Sequence, residues 1–229
     1  MPDLIGALRS YNRKERFILL TQVTAGEGEM PFSRRFRERL TDALEGVEVP
    51  ESPDFLAMDY HLNWLGAALQ ESHGHHRASP LENRSAEGPK GPRHIFEPNQ
   101  EDADLVVAWH DGDRTHLVLV EAKAYTGYSL PQFHSKFARL RAIFERDDSP
   151  IYPDVELHFV VAGFSPLKKS GALEGWPSWA LNSAGAEQFV QLDRPVHEVT
   201  SVGRTVDGKP NRAGDYHVTV VRAAVDAGS

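Results

Sequence analysis

Asp104, Glu121 and Lys123 are the residues whose types and spacing suggest chemistry. Glu121 and Lys123 end the apolar run "LVLVEAK" at residues 117–123, placing two charges at the end of what reads as a buried strand. Side chains two apart on a strand share a face, so the carboxylate and the ammonium group belong together. Asp104 opens a second apolar run, and the "HDGDR" between the two runs signals a hairpin, because an Asp-Gly pair suits a tight turn with positive φ at both turn positions. The start of one arm then lies beside the end of the other, which brings two carboxylates and a lysine together. Alone, the carboxylates would repel an anionic phosphodiester. A divalent cation held between them, with help from a backbone carbonyl, reverses that sign, polarises a phosphoryl oxygen and acidifies a water molecule. The lysine can orient that water or offset charge growing on the phosphate.

The surrounding elements must position these groups. Leu117, Leu119 and Glu121 point to one face of the second arm and Val118, Val120 and Ala122 to the other, so both faces are apolar and the strand is central. "LPQFHSKFARLRAIFERDD" follows, with Ser129 as its cap and Leu130, Phe133, Phe137, Leu140 and Phe144 as the core stripe of a helix. Gln132, Lys136 and Arg139 share its neighbouring face, where Lys136 and Arg139 could hold phosphates or simply form an ordinary polar surface. Upstream, Ser52 and Pro53 start a helix over about 53–70, with Phe55, Met58, Leu62, Leu65 and Leu69 as its stripe and Asp59 beside it. Asp59 is either an ion pair at the core's edge or an acid looking into a site.

Residues 1–50 read as a helical N-terminal region and 51–229 as the main α/β domain, the two expected to form one compact unit. The first 23 residues carry two helices or one bent one. "PFSRRFRERLTDALEG" carries another, capped by Ser33 and stopped at Gly46, with four arginines facing outward. Residues 71–100 form a loop rich in Gly, Pro, His and charge, and a loop that long is functional or disordered. His73, His75 and His76 lack helical i, i+4 spacing, so a metal role for them is set aside. "VELHFVVAGF" is a buried strand, a short helix is expected near 184–190, Trp176 and Trp179 should pack, and the C-terminal stretch should form an edge hairpin.

Composition narrows the function classes. The 229 residues, 40% of them hydrophobic, suffice for one good-sized core. No apolar run is long enough for a membrane span and no secretory signal is visible, so the expected location is the cytoplasm. The absence of cysteine excludes disulfides and thiolate metal sites, leaving oxygen and imidazole as ligands. A formal net charge of −8 argues against coating nucleic acid by bulk attraction and leaves only a local positive face. No Gly-X-Ser-X-Gly elbow and no phosphate-binding loop is present.

The acid at the start of one strand, followed by Glu121-Ala122-Lys123 at the end of the next, resembles the PD-(D/E)XK nuclease superfamily, also called restriction endonuclease-like. The resemblance covers chiefly residues 100–140. It departs from the commonest pattern in having Ala103 before Asp104, and Asp102 or Glu101 would be the first acid if the strand began earlier. It implies an α/β fold with a mixed central β-sheet flanked by helices, and Mg²⁺ (or Mn²⁺) bound by Asp104, Glu121 and the Ala122 carbonyl. Lys123 would position the attacking water and Gln132, Lys136 and Asp59 would assist. The implied activity is cleavage of nucleic acid, with DNA the expected polymer, and a homodimer suits an enzyme that cuts two strands. The alternative is a noncatalytic nuclease-fold interaction or scaffolding module of a larger complex, which the acidic net charge favours.

Overall fold

Strand β5, Arg114–Lys123, is buried on both faces from Thr115 to Glu121 and forms the middle of a mixed five-stranded sheet. In the computed structural model, which describes residues 3–11, 32–76, 78–99, 101–123, 129–147, 149–167, 173–194, 199–207 and 209–221, the strand order is β1-β4-β5-β8-β9. These strands are β1 Phe55–His61, β4 Asp102–Asp111, β8 Val155–Gly163 and β9 Phe189–Gln191. β1, β4 and β5 pair antiparallel, whereas β5, β8 and β9 run parallel. The parallel step needs a crossover, supplied by helix α4, Leu130–Phe144.

Alternation along the strands divides the core in two. Leu117 and Leu119 join one cluster with Ala57, Val106, Phe159 and Val161, covered by α1 (Leu4–Tyr11), α3 (Leu62–Ser72) and α4. Val118 and Val120 join Val107, Trp109, Val160 and Val190 on the other face, under α2 (Arg34–Ala43) through Leu40. Phe133 and Phe137 of α4 meet Phe159 and Trp176 within 6.1 Å, so Trp176 packs in the core, while Trp179 donates its indole N–H to Glu145. The N-terminal helices therefore lie on opposite faces of the sheet. Residues 12–31, which include part of the expected N-terminal helical segment, are outside the described residues.

Several expectations change. The stretch read as a helix over 53–70 is strand β1 followed by α3. "FLAMDYH" covers both faces of a strand, and apolar residues at 55, 58 and 62 imitate helical spacing. The β4–β5 turn is Gly112–Asp113 with positive φ at Gly112 alone, the II′ pattern instead of the I′ pattern expected from Asp-Gly. In place of a helix near 184–190, the Asn182 side chain accepts the Ala184 and Ala186 N–H groups, turning the chain into β9. The C-terminal strands β10 (Val199–Val206) and β12 (Asp215–Val221), with the short β11 (Lys209–Pro210), form a separate three-stranded sheet and do not edge the main one.

The long segment after α3 is ordered by side-chain amides. Asn63, Gln70 and Asn83 each donate to and accept from the backbone of one residue, respectively Glu97, Glu82 and Phe96, imitating a ladder rung. These clasps hold the segment, which carries β2 (Ser85–Ala86) and β3 (Arg93–His94), against α3 and α4. Arg139 sits beneath it with no exposed surface, donating to Asn63, to the Ile95 carbonyl and to Glu101, which also binds Arg93. Removing one partner from such an enclosed ionic network strands the others. Arg139→Met should therefore lower the unfolding free energy by about 3 kcal/mol, read from urea denaturation. Unchanged stability would show that the network does not anchor the segment.

Candidate functional site

The candidate site lies where two strands part. β4 and β5 pair from Asp111↔Arg114 to Leu105↔Val120 and then diverge, β4 continuing against β1 to Asp102 and β5 continuing against β8 to Lys123. Asp104 and Glu121 are the first residues beyond the last rung. The Asp104 carboxylate reaches into the fork and accepts the Ala122 N–H at 2.6 Å, replacing the missing backbone rung. In an extended strand the N–H and C=O of one residue project to the same side, so the Ala122 carbonyl opens into the fork as well.

Asp59 completes a row. It lies between the Met58↔Leu105 and Tyr60↔Ala103 rungs, so Asp59, Asp104 and Glu121 stand abreast on three neighbouring strands. Its backbone is left-handed, with φ 50°, a conformation that Asp adopts more readily than most residues. Across that position the alternation slips: Ala57 and Tyr60 both face the α4-side core, as do Ala103 and Val106 opposite them. Asp59 is thus an acid on a strand adjoining Asp104, and not, as the sequence suggested, on a helix before the hairpin.

Glu121 is buried, and both its oxygens are taken. Lys123 bonds one and Lys136, from the middle of α4, bonds the other. Lys136 also donates to the Asp102 carbonyl at 2.8 Å, and Lys123 lies 5.9 Å from the centre of the Phe133 ring. Burial pushes the Glu121 carboxyl up, but the two ammonium groups outweigh it and hold its pKa below the ordinary value. Burial, and after it the Glu121 charge, push the Asp104 carboxyl the other way, above its ordinary value. Glu121 thus pairs directly with two lysines, whereas the same lysines offset the rise at Asp104 only in part.

The remaining expected residues are distributed unevenly. Gln132 is exposed in the first turn of α4, one turn ahead of Lys136. Lys136 is enclosed and meets a carboxylate, so it acts on Glu121 and does not face solvent as a ready phosphate contact. Arg139 is removed from the set of substrate contacts altogether, because its guanidinium lies wholly inside the protein. Of the other candidates for first acid, Asp102 opens β4 and Glu101 lies just before it, bound to Arg93 and Arg139. Sequence reading overlooked the Lys123–Glu121–Lys136 triad; its signal was the i, i+2 acid–lysine pair followed by a lysine on the crossover helix. It also overlooked His116, Glu156 and His158, whose ligand atoms lie within 4.8 Å of one another. Comparison with family models, curated proteins and solved structures returned no match.

The triad has a titration signature. A carboxyl held below its unfolded value of about 4.5 contributes stability at neutral pH, and that contribution is lost as pH falls through the folded value. Lys136→Met leaves burial opposed by Lys123 alone, so the contribution shrinks. In chelator-containing buffer the variant should be less stable than wild type by about 3 kcal/mol at neutral pH. The gap should narrow as pH falls below 4.5 and through the lowered folded value of Glu121, where the wild type loses this contribution as well. Urea midpoints over a falling pH series measure this, and a gap independent of pH would assign the loss to packing alone.

Proposed function

We propose that the fork is the active centre of a metal-dependent nuclease that hydrolyses phosphodiester bonds, with DNA the expected polymer and Mg²⁺ or Mn²⁺ the ion. The observation that carries this reading is the convergence of Asp104, Glu121 and the Ala122 main chain where β4 and β5 separate. These donors are all hard oxygens, which suits such ions, and Asp59 lies in the same row. When bound, the ion would polarise a phosphoryl oxygen and acidify a water molecule.

Charge supports the assignment. The Asp104 and Glu121 carboxylates and the two ammonium groups balance when all are ionised, which offers a phosphodiester no net attraction. A divalent cation would make the fork positive, which a phosphodiester would offset. The Asp104 carboxylate, its proton affinity already raised by burial and by Glu121, is the group with most to gain from a cation. Lys123 leaves β5 on the same face as Glu121 and carries the ammonium group that would position water or meet charge growing on the phosphate. Lys136 holds the second Glu121 oxygen, and α4 with it, against the sheet. Gln132, exposed one turn earlier on α4, would assist at the rim.

A second reading draws on one specific observation: both oxygens of Glu121 are already bonded to lysines, so the triad closes electrostatically without a metal. On that reading the fork is a structural ion cluster in a noncatalytic module.

Incubation of the protein with plasmid, single-stranded DNA and RNA, with Mg²⁺, Mn²⁺ or chelator, separates the two. The nuclease reading expects ion-dependent cleavage that Glu121→Gln abolishes and Lys123→Met slows about a hundredfold or more. It also expects calorimetric Mn²⁺ binding that Asp104→Asn weakens. Absence of cleavage together with a flat Mn²⁺ titration of the wild-type protein would overturn it and favour the module.

A further inference from the structure

The opposite face of the sheet holds a second cluster with different chemistry. His116 on β5 pairs across the parallel ladder with Glu156 on β8, and His158 follows two residues later on the same face. All three project beside Val118 and Val160, on the side covered by α2, while Glu121 faces α4. Both histidines are buried, at 5% and 7% exposure, and Glu156 is partly open. The Trp109 indole stacks on the His116 ring at 5.0 Å and 22°, fixing its plane.

The donor atoms make a small triangle. Nδ1 of His116 is 3.4 Å from Nε2 of His158 and 3.7 Å from a Glu156 oxygen, and His158 Nε2 is 3.7 Å from the other Glu156 oxygen. A tetrahedral ion with bonds of 2.0–2.1 Å sets its ligand atoms about 3.4 Å apart, close to the edges given above, and with one Glu156 oxygen as ligand all three edges stay within 4.8 Å. The two ring nitrogens are also too far apart for a good hydrogen bond, whose usual range ends near 3.2 Å. On the far side of the His116 ring, Nε2 faces an Asp111 carboxylate oxygen at 3.7 Å, the position from which an outer carboxylate orients a ligating imidazole. Glu156 and His158 further line a groove of about 420 Å³, with Val47, Trp179 and Asn182 among its other walls.

We propose that His116, Glu156 and His158 form a second metal site, independent of the fork, that binds one late first-row divalent ion of the zinc class. Two imidazoles and one carboxylate select such ions over Mg²⁺, which prefers oxygen alone. Three protein ligands leave a fourth position, which water or a small anion entering from the groove fills. The site does not depend on the nuclease reading.

Full-length protein freed of metal by chelation is titrated with Co²⁺, followed by visible absorption, and then with Zn²⁺. The site predicts that one Co²⁺ per chain gives an absorption band of four- or five-coordinate intensity, to which cobalt held in an all-oxygen fork would add little, and that the band is lost when Zn²⁺ displaces the cobalt. Glu156→Gln, a partly exposed and conservative change, should weaken binding at least about a hundredfold, and Asp111→Asn about tenfold. His158→Gln serves as the buried counterpart, and Zn²⁺ should raise the wild-type melting temperature but not that of Glu156→Gln. Glu121→Gln should keep the intense cobalt band of the wild type. A band that is absent or does not saturate at one equivalent, or one that survives Glu156→Gln and His158→Gln, overturns the proposal. Binding abolished by Glu121→Gln instead would place the ion in the fork and equally overturn it.

Discussion

A carboxylate buried at the end of a central strand has to be neutralised, and much of this molecule's arrangement follows from how that is done for Glu121. An unpaired ionised carboxylate in such surroundings would cost more than a domain's margin of stability allows. Lys123 comes from the same strand face by alternation and is available wherever β5 goes. Lys136 comes from α4, so the second ion pair fixes the height and rotation of the crossover helix relative to the sheet. Phe133 and Phe137 on α4 then meet Phe159 and Trp176, and the apolar core and the ion triad demand one and the same placement.

The fork has a complementary cause. β5 follows β8 as far as Lys123↔Gly163, while β4 follows β1 to His61↔Asp102, so their mutual pairing ends at Leu105↔Val120. The N–H of Ala122 would be left without a strand partner, and Asp104 supplies a side-chain acceptor for it. The slip of alternation at Asp59 lets β1 and β4 keep register through the divergence while Tyr60 and Ala103 return to the core. Three acids in a row are thus a consequence of where a sheet splits. A split sheet is also one of the few places where strand-borne carboxylates and a main-chain carbonyl can converge without a neighbouring strand covering them.

How far this was legible in the sequence depends on the range of the interactions. The two faces of β5, the hairpin and the core stripe of α4 depend on periods of two and 3.6 residues; all three are present, the stripe running from Phe133 to Phe144 with Leu130 only half-buried. The pairing of Asp104 with the end of β5 followed from hairpin arithmetic. β1 was misread because an apolar run covering both faces of a strand also satisfies a helical stripe, and only its pairing with β4 distinguishes the two. Arg139 looked like a surface cation because nothing local shows that Ile95 and Glu101 fold back over it. The amide clasps are likewise invisible locally, since Asn63 and Glu97 are far apart in the chain. Of the second cluster, only the Glu-Leu-His pattern on β8 was local; His116 joins it through the parallel register that α4 creates.

That register separates two polar clusters by donor type. His116 and Glu121 lie five residues apart on β5, a rise of about 17 Å, and odd spacing puts them on opposite faces. An ion preferring imidazole finds two at one end, and an ion preferring oxygen finds carboxylates and a carbonyl at the other. Affinity among first-row ions rises toward copper and zinc, so on the proposed nuclease reading nitrogen donors beside the fork would sharpen the competition against Mg²⁺ or Mn²⁺. A rigid central strand that keeps the nitrogen donors away from the fork removes the ligands that would worsen that competition. The lysines on Glu121 act in the same direction, since any ion entering the fork would have to compete with two ammonium groups already in place. On the proposed nuclease reading Asp104, which accepts the Ala122 N–H and among the described residues meets no lysine directly, would be the donor through which entry begins.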